Sequence, residues 1–346
     1  MRTNIGKAER VLRVLSHSRG ARQESPMKSR TPRTPPPSPM RIRSILVPLD
    51  GSPFAEQALP WAVAIARAAR ARLRLALVHQ VPSPPPVDEA TGRLYVKIEL
   101  ALRKSQGDYL RRVGERIRGE HKVQVAKAML QGNPAPALGE YVEEMGVDLV
   151  VMTTHGLGGI QRAWLGSVAD QLVRSLEVPM LLIRPGEDAA TSADASAVRE
   201  ILVTLDGSRR AEAVLAPAAA LAKVFGAKLV LIQVVHPVVM MTDPPTVFPM
   251  GFDEELSRLG RAQAQDYLDG VAEQLDAQGV RAAGVAVLGA SVFDTIRDAI
   301  RSPATGIVAL ATHGRGGVRR LVLGSVADKL VRGGELPVLV TRPRGR

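Results

Sequence analysis

Two strings of residues occur twice in this chain, and both carry side chains able to do chemistry. Ile45-Leu-Val-Pro-Leu-Asp-Gly-Ser52 returns as Ile201-Leu-Val-Thr-Leu-Asp-Gly-Ser208, with seven of eight positions identical. The twenty residues His155–Arg174 return as His313–Arg332, with fourteen positions identical. In the first string, Asp50 and Asp206 can accept hydrogen bonds from a ribose hydroxyl or a base amine. The same aspartates can instead cap the turn that follows, since Asp-Gly-Ser is ordinary turn chemistry. The second string is rich in glycine, at 156, 158, 159 and 166 in its first copy, and then reads Ser167. Glycine allows positive φ and close backbone approach to a ligand. A helix start offers unpaired N–H groups with the helix dipole behind them, which makes an anion site. Several donors in a row suit a phosphate chain better than a carboxylate. Ser167 is expected to be the N-cap, and Ser325 its counterpart, each hydroxyl able to touch phosphate as well. Acid and amide cradle together suggest a nucleotide.

Other reactive groups point less far. His155 and His313 could act as bases, but no paired carboxylate or nucleophile sits beside them, so a positioning or backbone role is expected. Arg162, Arg319 and Arg320 either lean on phosphate or are solvated. Asp170 and Asp328 fall in the first turn of the following helix, where the dipole favours them; a nearby cation is the other reading. Trp61 and Trp164 are expected to pack, and Met152 either lines a base pocket or belongs to the core. There is no G-x-x-x-x-G-K-S/T phosphate loop, no dinucleotide fingerprint after strand one and no G-x-S-x-G elbow. The six histidines lack metal-ligand spacing and cysteine is absent. A thiolate nucleophile, a disulfide scaffold and Cys-ligated zinc are thereby excluded. No catalytic residue and no metal ligand is assigned.

The elements that must hold these groups alternate. Strands are expected at Ser44–Leu49, Leu73–Val81, Val123–Leu130, Asp148–Thr154 and Met180–Arg184, with helices at Pro53–Arg70, Leu94–Arg118, Pro134–Met145 and Ser167–Leu176. The second half repeats the pattern, with strands near 200–206, 227–235, 283–289, 306–312 and 337–342. Apolar strands alternating with helices mean an α/β fold, a parallel sheet covered on both faces and doubly wound. In such sheets ligands bind beyond the carboxyl ends of the strands, where the winding reverses. For five strands in the order 3-2-1-4-5 that reversal lies between strands one and four, and the two repeated strings follow those strands.

The offset between copies is 156 residues at the first string and 158 at the second. That is one duplicated domain rather than a solenoid, whose period would be about 20–50 residues. The organisation read from this is a tail (1–41), a first domain (42–185), a small polar linker (186–198) and a second domain (199–346). The Pro/Val-rich insert 237–250 reads as a lid, a partner surface or a plain long loop. Of the formal +12 charge, residues 1–40 carry nine Lys/Arg against two Glu. This Pro-rich stretch cannot bury apolar surface and is expected to be disordered. It reads as a basic arm for nucleic acid, a dispensable tail or an over-extended gene start, the last because Met40 directly precedes the first strand. Aromatics are 3%, which leaves few platforms for stacking single-stranded nucleic acid, and no specific nucleic acid is expected as a partner. No apolar run approaches about 18 residues, so no spanning helix is expected.

Both halves resemble the universal stress protein family, whose nucleotide-binding members carry G-x2-G-x9-G-S/T after strand four. Here the pattern reads Thr153-x2-Gly156-x9-Gly166-Ser167 and Ala311-x2-Gly314-x9-Gly324-Ser325. The Asp-Gly-Ser after strand one and the strand-end Thr-His-Gly match as well, and the resemblance covers about 42–185 and 199–343. It implies two doubly wound five-stranded sheets in the order 3-2-1-4-5, packed as an intramolecular pseudo-dimer that can pair further as a homodimer. It implies ATP, with Mg2+, as ligand. The site would comprise Pro48, Asp50, Met152, His155, Gly156, Gly166, Ser167 and Val168 in the first half, and Thr204, Asp206, His313, Gly314, Gly324, Ser325 and Val326 in the second. A cytoplasmic, nucleotide-responsive stress regulator or interaction module follows, with slow ATP hydrolysis at most. Thr153 and Ala311 replace the first glycine of the pattern, and Pro48 stands opposite Thr204. A nucleotide-free protein that serves protein partners is the alternative these departures open.

Overall fold

Continuous apolar runs become the buried strands of the computed structural model, which describes residues 40–80, 89–154, 165–184, 198–239, 252–300, 304–312, 324–333 and 336–343. The first half runs β1 (Ser44–Leu49), α1 (Pro53–Glu56), α2 (Leu59–Ala69), β2 (Arg72–His79), α3 (Glu89–His121), β3 (Val125–Gln131), α4 (Pro134–Glu144), β4 (Leu149–Thr153), α5 (Ser167–Ser175) and β5 (Met180–Ile183). Its strands lie in the order β3-β2-β1-β4-β5, all parallel. This is the doubly wound 3-2-1-4-5 arrangement.

One helix expected over Pro53–Arg70 is two. The break falls at Gln57-Ala58 because Pro60 has no N–H to give the carbonyl four residues back and disfavours helical geometry just before it. Trp61, in α2, is buried in the core, as a packing residue.

The second half runs β6 (Glu200–Thr204), a 3-10 turn (Ala211–Val214), α6 (Leu215–Phe225), β7 (Lys228–Val235), β8 (Val238–Val239), β9 (Phe252–Asp253), α7 (Glu254–Ala277), β10 (Ala282–Leu288), α8 (Val292–Ile300), β11 (Thr305–Ala311), α9 (Ser325–Gly333) and β12 (Val338–Thr341). Parallel strands β10-β7-β6-β11 repeat the order 3-2-1-4. The short antiparallel pair β8–β9 brackets the insert. Residues 240–250 of that insert lie outside the described residues, as do residues 1–39 of the tail.

The chain divides into two compact units. One is built on Arg41–Ser196 and takes in Val331–Arg346; the other is built on Ala197–Arg320 with Gly324–Leu330. Within the first unit, β12 pairs antiparallel with β5, Val338 opposite Leu182 and Val340 opposite Met180. All four residues of β5 are buried, and an apolar edge strand of that kind needs a partner or a cover.

Cores are Ala, Val, Leu and Ile, and helix lies close on sheet. A Cβ on Gly284 of β10 would fall 2.5 Å from the Leu268 Cβ of α7. Among the described residues, no helix is long and apolar enough to cross a membrane.

Candidate functional site

The two neighbours of β1 leave it at different points. Its ladder with β2 runs to Leu49–Leu77, whereas its partners on β4 end at Leu46–Val150. The strands have parted before Pro48, so the missing N–H of that proline leaves no bond to β4 unmade. Thr204 ends β6 in the same way, past the last β6–β11 partners, Val203 and Ala309.

Asp50 follows β1 directly. Its Oδ1 accepts the Ser52 N–H at 2.9 Å and the Ser52 hydroxyl at 2.6 Å. Ser52 Oγ in turn accepts the Ala55 N–H at 3.1 Å and caps α1. In the second half Asp206 Oδ1 accepts the Ser208 N–H at 2.9 Å, and Ser208 Oγ the Ala211 N–H at 3.2 Å. Gly51 and Gly207 make the turn at φ +86° and +79°, which glycine alone adopts cheaply. Turn capping is therefore one job of both aspartates. A carboxylate offers about four lone-pair sites, so a ligand hydroxyl can be accepted as well.

The opposite wall follows β4 and β11. The Gly166 N–H donates to the Thr154 carbonyl at 2.7 Å, and the Gly324 N–H to that of Thr312 at 2.9 Å. Each helix start is thus tied to its strand end. A Cβ on Gly324 would meet the Thr312 carbonyl oxygen at 2.8 Å. The N-cap of α5 is Gly166 and not Ser167, a correction to the expectation above. Gly166 is extended (φ −62°, ψ 150°), its carbonyl accepts the Asp170 N–H at 2.9 Å, and Ser167 is the first helical residue, with its side chain exposed. The glycine takes the cap because its amide must sit against the strand-end carbonyl. The amides of Ser167, Val168 and Ala169 consequently have no acceptor within the helix. Gly324 repeats this, its carbonyl accepting the Asp328 N–H at 2.8 Å, which leaves the Ser325 and Val326 amides equivalent.

Helix α5 is charge-matched at both ends. Asp170 makes a two-pronged pair with Arg174, both contacts at 2.8 Å. The Arg342 guanidinium donates to the carbonyls of Arg174 and Ser175 at the other end, where the dipole favours a cation. Met152 is buried in β4 beside Leu182, and Val168 and Val326 are half-buried. Thr153, in the place of a glycine, is 5% exposed. His155, Gly156, Arg162, Trp164, His313, Gly314, Arg319 and Arg320 lie outside the described residues.

Further polar side chains at this edge of the first half come from α3, which sequence reasoning treated only as a polar-faced helix. Arg116 Nη2 donates to Glu56 Oε2 at 2.6 Å. The buried Tyr109 hydroxyl lies against the same carboxylate but, among the described residues, makes no hydrogen bond of ordinary geometry. His79, fully buried at the end of β2, meets Gln106 Oε1 through Nδ1 at 2.7 Å and Glu99 Oε1 through Nε2 at 3.3 Å. A sequence signal for the tyrosine existed: Asp108-Tyr109-Leu110 returns as Asp266-Tyr267-Leu268, and Glu56 returns as Glu212.

Burial, then the Glu56 and Asp50 carboxylates, raise the Tyr109 phenol above its ordinary value near 10. The folded state keeps this proton where the unfolded chain would release it. The stability it contributes is whole below about pH 10 and is lost as pH rises further. Tyr109→Phe is expected to flatten the alkaline fall in unfolding free energy, read from urea titrations between about pH 9 and 11. An unchanged slope would show that the phenol ionises equally in both states.

Among the described residues, no group of three or more His, Cys, Asp or Glu could hold a metal ion.

A parallel doubly wound order, an acidic turn after the first strand and a Gly-Ser helix start after the fourth, all present twice, define a tandem α/β protein with a candidate strand-end site in each half. The sequence matches the Universal stress protein family over residues 41–184 and 197–342, and the chain belongs to that family in its tandem form. It is 28% identical over 313 residues to universal stress protein Rv2005c of Mycobacterium tuberculosis, a match covering 88% of this chain and 98% of the relative. It is 32% identical over 142 residues to universal stress protein MJ0531 of Methanocaldococcus jannaschii, covering 41% of this chain and 82% of that one. The crystal structure of a universal stress protein from Archaeoglobus fulgidus has the same fold, with TM-score 0.62 and 18% identity over 86% of this chain and 98% of that one.

Proposed function

We propose that the protein binds ATP at the carboxyl edge of each half and acts in the cytoplasm as a nucleotide-responsive regulatory or interaction module, not as a dedicated enzyme. One observation carries the reading. In both halves a glycine amide ties the helix start to the strand-four end and leaves the next amides as donors on the edge that bears Asp50 or Asp206. Triphosphate oxygens take those amides, and a ribose hydroxyl or base amine reaches the aspartate. Any Mg2+ arrives on the phosphates and, when bound, neutralises part of their charge.

Equilibrium dialysis with labelled ATP and Mg2+ tests this. Wild type is expected to bind. Asp50→Asn/Asp206→Asn keeps an acceptor for the Ser52 and Ser208 amides but loses the charge, and is expected to bind roughly tenfold or more weakly. No binding by wild type at millimolar ATP would overturn the reading. It would favour a nucleotide-free interaction protein, a role consistent with the buried Thr153 at a glycine position.

A further inference from the structure

Helix α3 carries an uncovered apolar stretch. From Leu94 to Leu102 every second residue is a large aliphatic one, and Leu94, Val96, Ile98, Leu100 and Leu102 are each 44% to 59% exposed. Single exposed leucines are ordinary, but five within about two and a half turns mark a surface that meets something. Helical geometry divides them. Leu94, Ile98 and Leu102 share one flank, and Val96 and Leu100 lie on the opposite one. The exposed Lys97 and Lys104 fall between the two, on the outer side.

The matching flank of α7 is bare as well. Ile98 and Ala101 correspond to Leu256 and Leu259, which are 50% and 55% exposed. The charge beside them is reversed. Val96-Lys97 becomes Glu254-Glu255, both exposed, and Lys104 becomes Ala262. Arg258 takes the place of Leu100 on the far flank, and Arg261 is turned to the Ala286 carbonyl at 3.1 Å. Neither offsets the glutamates beside Leu256.

We propose that the α3 flank of one copy receives the α7 flank of a second copy, with the aliphatic side chains meeting in the middle and Lys97 and Lys104 facing Glu254 and Glu255 at the rim. Apolar side chains spaced three and four residues apart are what paired helices interdigitate, and opposite charge sets which flank meets which. An anionic membrane is the poorer occupant. It would repel the glutamates, and the two apolar flanks of α3 cannot both enter one flat surface. Nucleotide plays no part in the contact, so loss of either reading leaves the other standing.

Sedimentation velocity on the full chain tests the pairing. Wild type is expected to run above monomer mass and to shift toward monomer as added salt screens the rim. Leu94→Ser/Ile98→Ser/Leu102→Ser and Leu256→Ser/Leu259→Ser are each expected to weaken association roughly tenfold or more, with thermal midpoints near wild type because all five side chains are exposed. Lys97→Glu/Lys104→Glu keeps the apolar stripe and is expected to weaken association too. In an equal mixture of the two serine variants each chain carries the flank the other lacks, and association is expected to return. A mixture that stays monomeric overturns the pairing of unlike flanks. A monomeric wild type, or an assembly that neither serine variant weakens, overturns it as well. Cosedimentation of monomer with phosphatidylserine vesicles, lost in the α3 serine variant, would give the flank to a lipid surface and overturn the second copy as its occupant.

Discussion

Replacing Gly324 with alanine is expected to lower the thermal midpoint and to abolish nucleotide binding by the second half. The new Cβ would sit 2.8 Å from the Thr312 carbonyl oxygen. That neighbour is main chain at the end of a buried strand, so it cannot swing aside as a flexible side chain would. Relief requires the helix start to move outward, which lengthens or breaks the 2.9 Å hydrogen bond from the Gly324 amide to the same carbonyl. Overpacking of this kind costs about 1–3 kcal/mol, and the lost bond about 1 kcal/mol more. The displacement carries the Ser325 and Val326 amides with it, so the binding defect follows from the same movement. Gly92 in α3 is the control. A Cβ there meets nothing within 4 Å, and alanine is expected to be neutral or to stabilise by up to about 1 kcal/mol. Denaturation midpoints and ATP stoichiometry for the two variants decide the matter. A wild-type midpoint for Gly324→Ala would show that the strand end yields.

Gly284→Ala is expected to destabilise the second half most. Its Cβ would fall 2.5 Å from the Leu268 Cβ and 3.0 Å from the Leu268 carbonyl carbon. Leu268 is fully buried and cannot leave the core without opening a cavity. Helix α7 must instead lift from β10, at a cost on the order of 3 kcal/mol. Tyr267 is the neighbour of Leu268 in sequence, so the lift also stretches the 2.9 Å bond to Glu212. The first half carries Lys127 at the equivalent register place in β3, opposite Leu75 as Gly284 is opposite Leu231, and there α3 presents Gly114, against which the Lys127 side chain lies. Urea unfolding followed beside hydrogen exchange at the Glu212 turn would register both effects. A loss of stability with the turn's protection intact would show that the Tyr267 contact survives the shift.

The unevenness of what could be read in advance has a physical origin. Duplication, strand and helix alternation, parallel order and the reversal point beside β1 were all legible in the amino-acid string. Each depends on main-chain hydrogen bonding and on the period of apolar residues, and those are written locally. Asp50 and Asp206 were legible for the same reason, being strand-end residues whose turn chemistry lies within two positions. The break at Pro60 was within reach too, because a missing N–H acts on its own helix.

The cap on α5 was not. Whether Gly166 or Ser167 caps depends on which amide faces the Thr154 carbonyl, and that follows only once the chain has returned to the strand end. Nor could the pairing of Glu212 with Tyr267, 55 residues apart, be foreseen from a helix that looked merely polar. Arg342 closing the end of α5, and β12 joining β5, are of the same kind. Such partners are chosen by helix rotation, strand register and packing distance between elements remote in sequence. Local pattern says which face of an element is buried, but not which side chain waits on the other side.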